Sequence, residues 1–145
     1  RLRHQQGDLP QPGLADVDAL LAQFRESGLR IEGAPAPTPE AVPAGVQLAL
    51  YRILQESLTN ALRHGDRARP VRLAVDWSPE DVRLIVASAL PVGGVVAAAG
   101  HGLAGMRERA RLAGGELTAE AVGEEFVVTA SLPHADDGRS REGEA

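Results

Sequence analysis

The chain has 145 residues, a formal charge of −5, no cysteine, and 43% hydrophobic but only 3% aromatic residues. Its length fits one domain, the lack of cysteine excludes disulfides and cysteine-ligated metals, and no apolar run approaches the ~20 residues of a membrane helix. Because its balance is acidic and its aromatic residues are few, we expect no direct nucleic-acid contact.

Two helices and a short strand are predicted in the first half of the chain. Residues 14–27 carry apolar side chains at helical spacing, and Gly28 follows where the helix would end. Residues 29–32 are a short strand candidate. Residues 44–64 (AGVQLALYRILQESLTNALRH) are the strongest helix, because one apolar stripe runs along them and Gly65 stops it.

The second half is predicted to hold two β-hairpins with a helix between them. Residues 71–77 and 81–86 alternate apolar and polar side chains around a turn. Residues 103–113 have helical spacing and end at two glycines, and residues 116–122 and 126–132 form the second hairpin. This order predicts an α+β two-layer sandwich, with a mixed, mostly antiparallel sheet covered on one face by helices.

The composition divides the chain into three segments. Residues 1–12 are polar and end in prolines, so we expect the tail of an upstream region and a linker. Residues 13–133 are the expected folded domain, in which residues 88–100 form a loop of small residues. Residues 134–145 are charged and lack apolar spacing, which predicts a disordered tail.

The long helix places an amide and a carboxylate beside its apolar stripe. Asn60 projects between Ala49 and Ile53, and Glu56 lies one turn earlier at the margin of the stripe. Polar groups beside a core are costly unless they are satisfied. A Mg²⁺ ion on a phosphate would satisfy them, because Mg²⁺ takes few protein oxygens. The alternative is a satisfied asparagine at the edge of the core with Glu56 in solvent, and the helix alone leaves both open.

Gly100, Gly102 and Gly105 fit the pattern G-x-G-x-x-G ahead of a predicted helix. A dinucleotide-binding βαβ unit is disfavoured, because no strand directly precedes the glycines and a hairpin follows the helix. Glycines before a helix still let backbone N–H groups approach an anion, and Arg107 and Arg109 follow. The alternative is a hinge before a structural helix, with both arginines in solvent.

Taken together, two segments resemble the conserved boxes of sensor histidine kinases. Residues 51–65 (YRILQESLTNALRHG) resemble the N box, and residues 100–117 (GHGLAGMRERARLAGGEL) resemble the G2 box and the strand after it. Residues 10–18 (PQPGLADVD) resemble the join between dimerisation helices and ATP-binding domain in the subfamily paired with LuxR/NarL-type response regulators. The resemblance covers roughly residues 10–133 and implies the Bergerat ATP-binding fold (GHKL, HATPase_c).

Residue by residue, the resemblance implies a site for ATP and Mg²⁺. Asn60 would coordinate Mg²⁺ on the triphosphate, and Glu56, the expected catalytic residue, would complete the metal shell or orient a water. Arg63 would reach a phosphate, and His64 would lie toward the nucleotide. The other expected nucleotide contacts are Ser88, Gly100, Gly102, Leu103 and Gly105. Residues 89–99 would be the mobile ATP lid.

Two departures from the family pattern concern nucleotide affinity. Ser88 stands where the family has an acid, sometimes asparagine, that bonds the adenine amino group. A hydroxyl accepts a hydrogen bond without a charge to strengthen it, a loss of roughly 1.5–3 kcal/mol. Glu124 and Glu125 in the last hairpin would repel phosphates if they faced the pocket.

The resemblance implies a kinase domain that presents the γ-phosphoryl of Mg·ATP to a histidine on a separate dimerisation domain. That histidine would lie upstream, since His4 is not in an acceptor motif. We therefore expect a monomeric fragment that is inactive alone, from a homodimeric protein that phosphorylates a LuxR/NarL-type response regulator. Its expected location is cytoplasmic, which includes the cytoplasmic part of a membrane-bound sensor.

Two other functions remain open at this point. One is a degenerate, non-catalytic module kept for protein docking, which Ser88, Glu124 and Glu125 suggest. The other is an anti-sigma-type kinase acting on protein serine, against which residues 10–18 and the MRER segment favour a histidine kinase.

Overall fold

The computed structural model describes residues 11–33, 39, 41–91 and 100–134. Residues 1–10 of the expected upstream segment lie outside this described part. So do residues 135–145 of the expected tail and residues 92–99 of the expected lid.

Three α-helices and five β-strands make up the described chain. The helices are α1 (Val17–Glu26), which follows a short 3₁₀ turn (Leu14–Asp16), α2 (Ala44–His64) and α3 (Gly100–Leu112). The strands are β1 (Ile31–Glu32), β2 (Val71–Trp77), β3 (Asp81–Ala89), β4 (Glu116–Val122) and β5 (Glu125–Pro133). Among the described residues, no helix combines the length and the apolar character that a membrane span requires.

The five strands form one mixed sheet in the order β1-β2-β3-β5-β4. β1 runs parallel to β2, because α2 lies between them in the chain and carries it back across the sheet. The other neighbours are antiparallel and include both predicted hairpins. The predicted α+β sandwich with a mixed, mostly antiparallel sheet is therefore confirmed.

The core lies between one face of this sheet and the apolar sides of the helices. On β5 the buried residues alternate with half-buried ones, as expected for a strand with one face against a core. Ile53 and Leu58 of α2 are 0% exposed against that face. Complete burial of such a side chain contributes about 1.5–3 kcal/mol, so α2 is the main hydrophobic support of the domain.

Several element boundaries differ from the sequence prediction, and two of these differences move residues of the expected site. β3 continues through Ser88 and Ala89, which were expected in a loop, because they pair with Phe126 and Glu125 of β5. α3 begins at Gly100 rather than at Leu103, so Gly100 and Gly102, which were expected before the helix, lie within its first turn. Glycine has low helix propensity, and we attribute the early start to packing of this segment against α2.

A third difference from the sequence prediction concerns the placement of His134. It was placed in the disordered tail, but it is only 8% exposed. Its ring packs edge-on against Trp77 at 5.3 Å, and its Nε2 lies 2.8 Å from the carbonyl oxygen of Ser78. The ordered domain therefore extends through His134.

Candidate functional site

The N-terminal turn of α3 lies directly against the second half of α2. A Cβ atom on Gly102 would be 2.7 Å from Glu56 Oε2 and 3.1 Å from Asn60 Nδ2. No side chain fits at that distance without displacing one of these polar groups. The structure thus brings together the two segments that sequence analysis singled out separately.

Ser57 and Met106 hold the two helices in this arrangement. Met106 is 1% exposed, and the Ser57 hydroxyl donates a hydrogen bond to its Sδ at 3.4 Å. Sequence analysis did not single out either residue for this role. Their positions in the sequence could have indicated this contact, because Ser57 follows Glu56 within the apolar stripe and Met106 lies one turn after Gly102.

Asn60 has a polar atom that is buried and unsatisfied. Its Nδ2 makes no hydrogen bond with any residue that the structure describes, and a buried donor without a partner costs about 1–3 kcal/mol. In this orientation the amide presents a hydrogen-bond donor, which is the group that a phosphate oxygen requires. Rotated by half a turn, it presents Oδ1, the kind of oxygen that Mg²⁺ takes. The residues present therefore fit a Mg²⁺–phosphate group beside Asn60.

A cavity of about 250 Å³ opens next to this contact. Its lining residues are Glu56, Gly102, Gly105, Met106 and Arg109. The missing side chains of the two glycines leave this space, and Glu56 and Arg109 give it one negative and one positive group.

The end of β3 lies against the C-terminal end of α2. Asp66, just after α2, donates its backbone N–H to the Ala89 carbonyl at 2.9 Å. A Cβ on Gly65 would lie 3.2 Å from the same Ala89 oxygen. Ser88 precedes Ala89, is 9% exposed, and shares the core-facing side of β3 with Val86. The C-terminal ends of α2 and β3 and the N-terminus of α3 therefore lie at one end of the domain.

The chain is similar in sequence to a known sensor histidine kinase. No protein-family model matches the chain. It is 37% identical over 112 residues to the sensor histidine kinase YxjM of Bacillus subtilis (strain 168), an alignment that covers 76% of this chain and 27% of that protein. The chain thus spans about a quarter of this curated relative.

Solved structures show the same fold. The blue-light activated histidine kinase of Erythrobacter litoralis EL346 superposes with a TM-score of 0.68 at 20% identity, over 88% of this chain and 43% of that one. Full-length ShkA, in complex with AMPPNP, superposes with a TM-score of 0.62 at 24% identity, over 88% of this chain and 32% of that one. By its sequence similarity to YxjM, together with this fold, the chain belongs with the ATP-binding domains of sensor histidine kinases.

In this histidine kinase domain, the other expected site residues have different environments. Arg63 and His64 are exposed in the last turn of α2, on the side of the helix that carries Glu56 and Asn60. Neither side chain makes a hydrogen bond or ion pair within the described residues. Leu103 is half-buried and packs against the core beside Gly102.

The carboxylates of the last hairpin are paired with arginines. Glu124 Oε1 lies 3.2 Å from Arg69 Nη1, and Glu125 forms a two-point ion pair with Arg72. The hydrogen bond and the charge of Glu125 raise the pKa of Arg72 above its ordinary value. Since Phe126 faces the core, its neighbour Glu125 lies on the opposite face of the sheet. The expected repulsion of phosphates therefore does not apply to Glu125, and Arg69 offsets the charge of Glu124.

Proposed function

We propose that this domain binds Mg·ATP between α2 and α3 and presents its γ-phosphoryl group to a histidine on a separate dimerisation domain. The observation that carries the proposal is the contact of Gly102 with Glu56 and Asn60, beside an asparagine amide that has no protein partner. A protein of the same fold, ShkA, has been solved in complex with AMPPNP.

Each site residue has a proposed part in holding the nucleotide. Asn60 holds the Mg²⁺ that neutralises charge on the phosphates. The first N–H groups of α3, from Gly100 to Leu103, lack helical partners and donate to phosphate oxygens. Arg63 and His64, with Gly105, contact the nucleotide from the rim of the cleft. Ser88 accepts a hydrogen bond from the adenine amino group.

In the proposed transfer, an imidazole nitrogen of the partner domain attacks the γ-phosphorus. A P–N bond forms, the P–O bond to ADP breaks, and the proton released from the imidazole passes to Glu56 directly or through a water. Such catalysis depends on positioning and charge neutralisation. The fragment alone is inactive in this proposal, because its acceptor lies in the homodimeric full-length protein. A LuxR/NarL-type response regulator is the proposed next acceptor.

Isothermal titration calorimetry with ATP, with and without Mg²⁺, tests the proposal. We expect Mg²⁺-dependent binding by the parent chain and an affinity at least about tenfold lower for Asn60→Ala. The variant lacks the amide that holds Mg²⁺ beside the phosphates, and the loss of even one hydrogen bond to a charged group has an effect of this size. Thr59→Ala is the matched control, because its hydroxyl donates a hydrogen bond to the Gln55 carbonyl at 2.9 Å and because Thr59 lines a different cavity, between α1 and α2, which shares only Glu56 with the proposed site. Equal affinities for Asn60→Ala and the parent would refute the role of Asn60.

A second candidate is a non-catalytic docking module, and Ser88 in the place of an acid is the observation that favours it. The arginine pairs of Glu124 and Glu125 remove the other two reasons for it. Mg·ATP binding, together with phosphotransfer once a dimerisation domain is supplied, would eliminate this candidate. A parent chain that does not bind Mg·ATP would favour it.

A further inference from the structure

The three arginines of α3 have different surroundings. Arg111 is paired with Glu108 at 2.6 Å along the exposed side of the helix. Arg107 is exposed and is not among the residues that line the 250 Å³ cavity. Arg109 is also exposed, but it lines that cavity, and its guanidinium makes no hydrogen bond or ion pair within the described residues. Only one of the three charges is thus both available and directed at α2.

Helix geometry directs Arg109 toward the glycine end of α3. Gly102, Gly105, Met106 and Arg109 follow helical spacing and share the face toward α2. Helical side chains lean toward the N-terminus of their helix. One turn closer to that N-terminus, about 6 Å along the helix axis from Arg109, lies Gly105. A Cβ on Gly105 would meet nothing within 4 Å. The guanidinium therefore has open space between its own turn and the contact of Gly102 with Glu56.

The negative charge of Glu56 in this cavity makes a nearby cationic group favourable for phosphate binding. Glu56 and Arg109 are the two charged residues of its lining, and no ion pair joins these two described side chains. A phosphoryl group beside Asn60 would meet the carboxylate of Glu56 at the same site, and a like charge there disfavours binding. A guanidinium opposes this repulsion, and its planar fork matches two phosphate oxygens at once.

We infer that Arg109 contacts the terminal phosphoryl group of the bound nucleotide and makes the site select a nucleoside triphosphate over a diphosphate. This inference rests on the proposed function and adds to it a specificity-determining residue. Arg109 lies nearer the C-terminus of α3 than the groups that hold the inner phosphates. A diphosphate held by its two phosphates at the helix N-terminus therefore lacks the phosphoryl group that would extend into the cavity of Glu56 and Arg109.

Titration calorimetry with Mg·ATP and with Mg·ADP tests the inference on the 145-residue chain. Arg109→Gln weakens ATP binding about tenfold or more, the usual effect of losing a charge-assisted hydrogen bond, and changes ADP binding by less than about twofold. Arg107→Gln is the matched control, with the same charge change on the same helix, and leaves both affinities unchanged. Arg109→Lys keeps the charge without the fork and gives an intermediate ATP affinity.

The outcomes separate this inference from the proposed function. If Arg109→Gln weakens ATP and ADP equally, or behaves like Arg107→Gln, the inference is wrong. If the parent requires Asn60 for Mg·ATP binding but Arg109→Gln binds ATP normally, the inference alone fails. If the parent does not bind Mg·ATP, both fail. Equal thermal unfolding midpoints for parent and variants exclude loss of the fold as the cause.

Discussion

Replacement of Gly102 by alanine separates the stability of the domain from its nucleotide site. The new Cβ would lie 2.7 Å from Glu56 Oε2, whereas ordinary van der Waals contact begins at 3.4 Å. The carboxylate must therefore move by about 0.7 Å or more, and Asn60 Nδ2, at 3.1 Å, must also give way. The atoms that move are the ends of side chains, so the backbone can stay in place.

Two effects of opposite sign follow from Gly102→Ala. Alanine is favoured over glycine in a helix by about 0.5–1 kcal/mol, so the thermal unfolding midpoint stays unchanged or rises by about 2–4 °C. Displacement of Glu56 and Asn60 disturbs the cleft, and misplacement near 1 Å costs about 100-fold in rate. We expect at least tenfold weaker Mg·ATP binding, in line with the loss of one hydrogen bond to a charged group.

Differential scanning fluorimetry and titration calorimetry on the same samples measure both effects. Gly45→Ala is the control, since it lies in the first turn of α2 at the opposite end of that helix and its Cβ would meet nothing within 4 Å. It should gain the same helix stability and keep the parent affinity for Mg·ATP. A Gly102→Ala variant that binds Mg·ATP as tightly as Gly45→Ala would refute the placement of the site at this contact.

Two further predictions concern the end of β3. Gly65→Ala should lower the free energy of unfolding by about 1–3 kcal/mol in a urea titration. The new Cβ would lie 2.8 Å from the Ala61 carbonyl oxygen and 3.2 Å from the Ala89 carbonyl oxygen, and both are backbone atoms. An unchanged unfolding midpoint would contradict this packing. Ser88→Asp should raise the affinity for ATP about tenfold or more without a gain for GTP. The reason is that a carboxylate accepts a charge-assisted hydrogen bond from the adenine amino group, whereas guanine presents a carbonyl at that position. Unchanged ATP affinity in a folded variant would show that Ser88 does not face the base.

Local patterns were enough to predict most elements of the fold. The bounds of α2 follow from one apolar stripe that ends at Gly65, and both hairpins follow from alternation around short turns. Non-local pairing was harder to predict. Ser88 and Ala89 have small side chains with little strand preference, and they become strand because β5 supplies partners. His134 is buried through Trp77, a residue far away in the sequence.

The candidate site was predictable only in part, for the same reason. Glu56 and Asn60 are unusual because they interrupt an apolar helix face, which one segment of sequence reveals. Their contact with Gly102 depends on how two distant helices pack, and the sequence indicated it only through family resemblance. The pairing of Glu125 with Arg72 was not predicted, because the strands that carry them are separated by β3.

The most direct test of the site is a ¹H–¹⁵N NMR titration of this small chain with Mg·ATP. We predict that the largest shifts occur in the side-chain amide of Asn60 and the backbone amides of Gly102 and Gly105, and that they require Mg²⁺. Shifts centred instead on the cavity at the other end of the sheet, which Gly115 and Ser131 help to line, or no shifts at all, would contradict a nucleotide site between α2 and α3.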